Sequence, residues 1–214
     1  MKNIITLTVL LGSLSFAKSS LSVDIYELDN GLTVLLNPDE NASSVYGAVG
    51  IKGGGKQDPA DATGIAHYLE HMLFKGTREL GTVDYKSEKV FLDSIEILYD
   101  KLGNTVDDNG RLKIQEKIND LNVKASEFAI PNEFTRLVEG FGGTGVNAFT
   151  SNDIIAYVSQ FPSHHIGKWL DINSHRFEDP VFRLFQSELE TVYEEKNRAM
   201  DNAFRMLFEE FFKA

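Results

Sequence analysis

Residues 61–76 read DATGIAHYLEHMLFKG, and the fold and chemistry expected of the chain follow from this stretch. It has no proline, and its apolar residues recur at helical spacing, so it is expected to form an amphipathic helix. At 100° per residue, His67, Glu70 and His71 fall within one broad arc, and Ile65, Leu69, Met72 and Leu73 fall on the other side. The expectation is a buried apolar face opposite two imidazoles and a carboxylate. Histidines four apart lie one above the other, about a turn apart, and can reach one ion. Glu70 then lies close enough to act on a water held by that ion without being a ligand itself. A solvated surface carrying a helix ion pair gives the same pattern, so a metal centre needs a third donor from elsewhere.

Residues 184–202, LFQSELETVYEEKNRAMDN, contain no helix breaker and are rich in glutamate. Glu188 and Glu195 are seven apart, almost two turns, and project from one face. A zinc ion held by two imidazoles of one helix takes a third protein ligand from another segment and leaves its fourth position to water. A carboxylate of this helix meets that requirement. On the residues alone, an acidic helix of this kind also reads as an ordinary solvated face.

GIAHYLEHMLFKGT (residues 64–77) resembles the signature of the pitrilysin, or insulinase-type, metallopeptidases, whose H-x-x-E-H inverts the commoner zincin order. Glu188 and Glu195 match the family's E-x6-E pair, and NGLTVLL (30–36) and GVNAFTSND (145–153) resemble further family stretches. The resemblance implies zinc (Zn2+, one ion) held by His67, His71 and Glu195, Glu70 as the general base, and Glu188 hydrogen-bonded to a ligand histidine. It also implies an edge strand carrying Asn147, Ala148 and Phe149, whose backbone pairs with an extended peptide. The implied activity is hydrolysis of peptides or small proteins by a zinc metallopeptidase. The alternative is a zinc-binding but non-hydrolysing subunit or inactive fragment. Members of the family carry further related domains, so a second domain or partner chain is expected to complete the substrate chamber. The run FRMLFEEFFKA (204–214) points the same way, because Phe204, Leu207, Phe208 and Phe211 would need a cover.

The rest of the chain supports an α+β domain, an antiparallel-rich sheet covered by helices. Residues 1–17, MKNIITLTVLLGSLSFA, have the lysine, the apolar run and the small-residue site of a secretory signal peptide, with cleavage after Ala17. The apolar run is too short for a membrane span, so export to the periplasm or medium without a stable anchor is expected. The chain has no cysteine, which excludes a disulfide framework. A net charge of -11 argues against a nucleic-acid partner, and 42% hydrophobic with 25% charged residues is ordinary for a globular domain at 22–214.

Runs at 24–37 are joined by Asp29-Asn30-Gly31, a hairpin signal. A third strand spans 44–52, and Gly53-Gly54-Gly55 behind it reads as a flexible turn, without the Lys-Ser/Thr of a phosphate loop. Asp58-Pro59, Asp61 and Thr63 supply start signals for the metal-motif helix. Two helices are expected at 87–102 and 111–128, with Val90, Ile97 and Leu98, and Leu112, Ile118 and Leu121, as their apolar faces. They are expected to form a helical hairpin, and the family resemblance implies that it is an insertion, at about 84–135. Strands follow at 146–150 and 154–159, then a helix over 163–177 in which His164, His165 and His175 read as surface residues.

Overall fold

The computed structural model describes residues 22–201 and Phe211, so the signal-peptide reading and most of the 204–214 run lie outside the described residues. The chain divides into a unit ending at Ala42 and a unit from Ser43 onward. In the first, β1 (Asp24–Glu27) and β2 (Thr33–Leu36) pair antiparallel, with Asp24 opposite Leu36. Gly31, at φ 83°, closes the turn that the Asn-Gly pair predicts.

The second unit is built on a three-stranded antiparallel sheet of β3 (Ser44–Lys52), β4 (Thr144–Thr150) and β5 (Ile154–Pro162), in the order β3-β5-β4. Strand β5 is central, and Ile155, Ala156, Tyr157 and Phe161 are all buried on it. α1 (Ile65–Met72) and α5 (Ile166–Glu178) pack on the β5 side chains of one face. Leu73, Ile155 and Tyr157 form the core there, with Phe74, Ala148 and Phe177 packed around them. Trp169 of α5 stacks on Phe161 at 5.1 Å and donates Nε1–H to Ser159 Oγ at 2.7 Å.

Residues 53–55 are not a flexible turn. Gly55 N and Lys56 N donate to Ser151 O and Asn152 O at 2.9 and 3.0 Å, so the segment is fastened to the β4–β5 turn. A Cβ on Gly54 would sit 2.2 Å from Ser151 O, so the backbones approach closer than any side chain allows.

α2 (Tyr85–Gly103) and α3 (Asp108–Ser126) fold back on each other. Asp84 and Asp107 cap them, accepting from Ser87 N and Gly110 N. Their shared core is Ile95, Ile114, Ile118 and Ala125, with Leu98, Leu102 and Leu121 beside it. The expected apolar faces are therefore half wrong. Val90, Ile97 and Leu112 are exposed, because the two helices meet along the stripe through Ile95 and Ile114. A further helix that sequence reading missed, α4 (Glu133–Gly140), buries Phe134 and Val138 before β4. The expected helix over 163–177 begins as a single 3-10 turn at Ser163–His165 and becomes α5, while α6 (Phe185–Met200) carries the glutamate pair.

Candidate metal centre

α1 starts differently from the expectation. Asp61 and Thr63 do not cap it. Gly64 occupies the N-cap at φ 98°, and Asp58 reaches in from six residues upstream, accepting from Gly64 N at 2.6 Å and Ala66 N at 3.0 Å. The buried face is also not the expected one. Met72 and Leu73 are buried, but Ile65 and Leu69 are exposed and Glu70 is buried. The sheet lies against the side of α1 that carries Glu70, between the histidines and the core.

That packing fixes Glu70. Thr150, at the end of β4, donates to Glu70 Oε2 at 2.6 Å, and Tyr157 of β5 donates to the Glu70 main-chain oxygen at 3.3 Å. Burial pushes the Tyr157 hydroxyl pKa well above its ordinary value, so it stays a donor. Thr150 takes one acceptor position of Oε2, and Oε1 accepts no hydrogen bond from the described residues.

α6 crosses α1 where the histidines stand. Glu195 Oε2 lies 3.5 Å from His67 Nε2 and 3.5 Å from His71 Nε2, and one donor from each of the three residues falls within 4.8 Å of the others. Tetrahedral bonds of about 2.0–2.2 Å place ligand atoms ~3.4 Å apart, so the Glu195 separations already suit one small divalent ion and the set needs about an ångström of closure. Two imidazoles and a carboxylate are also the donor types that zinc takes. The rings of His67 and His71 stand edge to face, 4.9 Å apart.

Glu188 does not join this set. Its Oε2 lies 3.2 Å from His71 Nδ1 and its Oε1 2.5 Å from Lys75 Nζ. With the proton on Nδ1 directed at Glu188, the Nε2 lone pair of His71 faces Glu195 and His67. The hydrogen bond to Glu188 raises the His71 pKa, against the opposing effect of burial. Burial alone would raise the Glu188 carboxyl; the hydrogen bonds from His71 and Lys75 outweigh it and hold the group below its ordinary value. Glu188→Gln is expected to weaken zinc binding about 10–100-fold, the usual cost of losing a partner that orients a ligand, without changing stoichiometry. Competition titration against a chelating dye measures it, and an unchanged affinity would remove Glu188 from the site.

Sequence reading missed three residues here. Lys75, one turn beyond His71, holds Glu188; Thr150 holds Glu70; Tyr68 donates to Phe185 O at 2.6 Å and ties α1 to the start of α6. Only the place of Lys75 on the face of His71 gave a local signal. Asn147, Ala148 and Phe149 lie on β4, which pairs with β5 on one side and is an edge of the sheet. His164 is exposed and His165 half-buried, with ring centres 4.1 Å apart and remote in the fold from the α1 histidines. Among the described residues no helix is long and apolar enough to cross a membrane.

Residues 33–88 match the family model described as insulinase, peptidase family M16. The insulin-degrading enzyme of Drosophila melanogaster is 43% identical over 53 residues, 25% of this chain and 5% of that protein. Protease 3 of Escherichia coli (strain K12) is 39% identical over 61 residues, 28% of this chain and 6% of that protein. In fold, 88% of the chain superposes on 34% of the chain in the crystal structure of a protease from Helicobacter pylori, with a TM-score of 0.61 and 23% identity. Residues 33–88 are thus similar to the insulinase family, and the matches span a small part of the curated relatives' length.

Proposed function

We propose that the chain binds one zinc ion through His67, His71 and Glu195 and serves peptide-bond hydrolysis as a metallopeptidase. The observation that carries the reading is the convergence of these three donors from two helices 120 residues apart, with Glu70 pinned beside them. When bound, zinc supplies Lewis acidity that brings the pKa of a water toward neutral and polarises a carbonyl. Glu70 Oε1 accepts the proton of the attacking water and returns it to the departing amine nitrogen. Thr150 keeps the Glu70 carboxylate aimed, and Glu188 keeps His71 in the tautomer whose Nε2 is free. Strand β4, with Asn147, Ala148 and Phe149, offers its open edge to an extended peptide, which gives binding through the main chain with little demand on side chains.

A further domain or partner chain is part of the proposal, because the fold matched here is 34% of the Helicobacter pylori protease chain. Export guided by residues 1–17 is also part of it. Cleavage of an unstructured peptide, measured with and without a candidate second domain, is expected to stop on chelation and return with one equivalent of zinc. Cleavage that persists in chelator would contradict the reading. A zinc-loaded chain that cleaves nothing with its second domain present would leave the non-hydrolysing subunit as the function.

A further inference from the structure

Residues 53–58, GGGKQD, run from the end of β3 toward the loop that enters α1, and they are bonded on both sides. On one side Gly53 N, Gly55 N and Lys56 N donate to the main-chain oxygens of Asp153, Ser151 and Asn152 at 3.1, 2.9 and 3.0 Å. Three consecutive carbonyls of the β4–β5 turn are thereby taken up by one segment. On the other side the Asp58 carboxylate spends both oxygens on the start of α1, Oδ2 accepting from Gly64 N and Oδ1 from Ala66 N. The segment between is closed rather than slack. Gly54 N donates to Gln57 Oε1 at 2.8 Å, and Gln57 N donates back to Gly54 O at 2.9 Å.

The two parts joined in this way carry the two partners of one hydrogen bond. Thr150, whose hydroxyl donates to Glu70 Oε2, immediately precedes the turn. Glu70 stands four residues beyond Ala66, about 6 Å along the helix. A helix is a rigid element and carries a displacement of its first turn along its length. The Thr150 bond, at 2.6 Å, weakens once that displacement exceeds a few tenths of an ångström. Tyr157 also holds α1 to the sheet, but at 3.3 Å from the Glu70 main-chain oxygen it is a longer and looser restraint. The Lys56–Asp153 pair, 3.8 Å apart and largely exposed, adds little.

We propose that Asp58 is a positioning residue for the hydrolytic centre: through residues 53–58 it sets where α1 stands along the β4–β5 turn, and so keeps Glu70 within reach of Thr150. This role rests on the reading of Glu70 as the general base. The edge strand offered to the peptide and the helix that carries the base then form one unit, and the base is aimed before substrate arrives.

Asp58→Ala is compared with Asp107→Ala, which removes a helix cap of the same kind from α3, where Asp107 accepts from Gly110 N. In the assembled, zinc-loaded enzyme, Asp58→Ala is expected to lower kcat about 10–100-fold, with KM and zinc content unchanged. Asp107→Ala is expected to change none of the three. Added to Thr150→Val, Asp58→Ala is expected to cost less than about twofold more, because both act through one contact. The crystal structure of metal-free Asp58→Ala is expected to show Thr150 Oγ1 and Glu70 Oε2 beyond hydrogen-bonding distance. Losses that multiply in the double variant, or an intact Thr150–Glu70 contact in that structure, overturn the proposal. An unsubstituted enzyme that cleaves nothing would remove the general-base reading, and the same structure would still decide whether Asp58 holds the contact. If Asp58→Ala does not fold, amide exchange of the unsubstituted metal-free chain decides. The amides of Gly55, Lys56, Gly64 and Ala66 are expected to open together, and Gly64 and Ala66 staying protected while Gly55 and Lys56 exchange freely would overturn the role.

Discussion

Glu70→Gln is expected to leave zinc at one ion per chain while lowering peptide turnover about 10^2–10^4-fold, the usual contribution of a placed general base. The amide keeps the shape of the carboxylate and can still accept from Thr150 through its oxygen, so the contact that fixes the side chain to β4 survives. What it loses is the ability to take a proton. Glu70 is buried against the sheet and is outside the converging donor set, so metal content should not respond. Steady-state cleavage of a peptide in the assembled enzyme, with zinc measured on the same sample, separates the roles. Zinc lost along with turnover would mean that Glu70 is a ligand and that the division between α1's two functions is wrong.

The second large effect is structural. Arg183 and Glu88 form an ion pair with side-chain exposures of 2% and 0%, at 2.9 Å. Arg183 also donates to the main-chain oxygens of Lys75, Thr77 and Leu80, so one guanidinium holds the loop that leaves α1 and joins it to α2 just before α6 begins. Gly76, at φ 101°, is needed there, since a Cβ would strike Leu80 O at 2.2 Å. Glu88→Ala leaves the guanidinium buried with carbonyls but no counter-charge, and breaking a buried pair in this way costs about 3–5 kcal/mol. For a domain of this size that lowers the melting temperature by roughly 6–20 °C. Calorimetry on metal-free protein is the measurement, so that a weakened metal site cannot contribute. A fall of under about 2 °C would show that the pair contributes little.

What the sequence made legible was whatever is local. The inverted motif helix, the Asn-Gly hairpin, the strands β3, β4 and β5 and the helix with Glu188 and Glu195 all announce themselves by short-range period and turn chemistry. Helix α4 did not, because its N-cap Asn132 sits at φ 55° without a side-chain cap and the helix is only eight residues long. The faces of α2 and α3 were misread because apolar residues occur around both helices, and only their crossing decides which are buried. The buried side of α1 was misread for a related reason. A carboxylate is assigned to solvent by composition, whereas Glu70 is buried because Thr150, 80 residues away, supplies a hydroxyl for it. Lys75 and Tyr68 gain their roles in the same way, from contacts with α6 more than a hundred residues on.

Two helices bring donor atoms of His67, His71 and Glu195 within 4.8 Å of one another, and the proposal is that one divalent ion binds there. Zinc titration of chelator-stripped chain by calorimetry, beside His67→Ala, tests it most directly. One ion per unsubstituted chain is predicted, with affinity lowered more than about 100-fold in the variant, beyond the cost of losing a mere orienting partner. Zinc that binds both proteins equally, or neither, would contradict it.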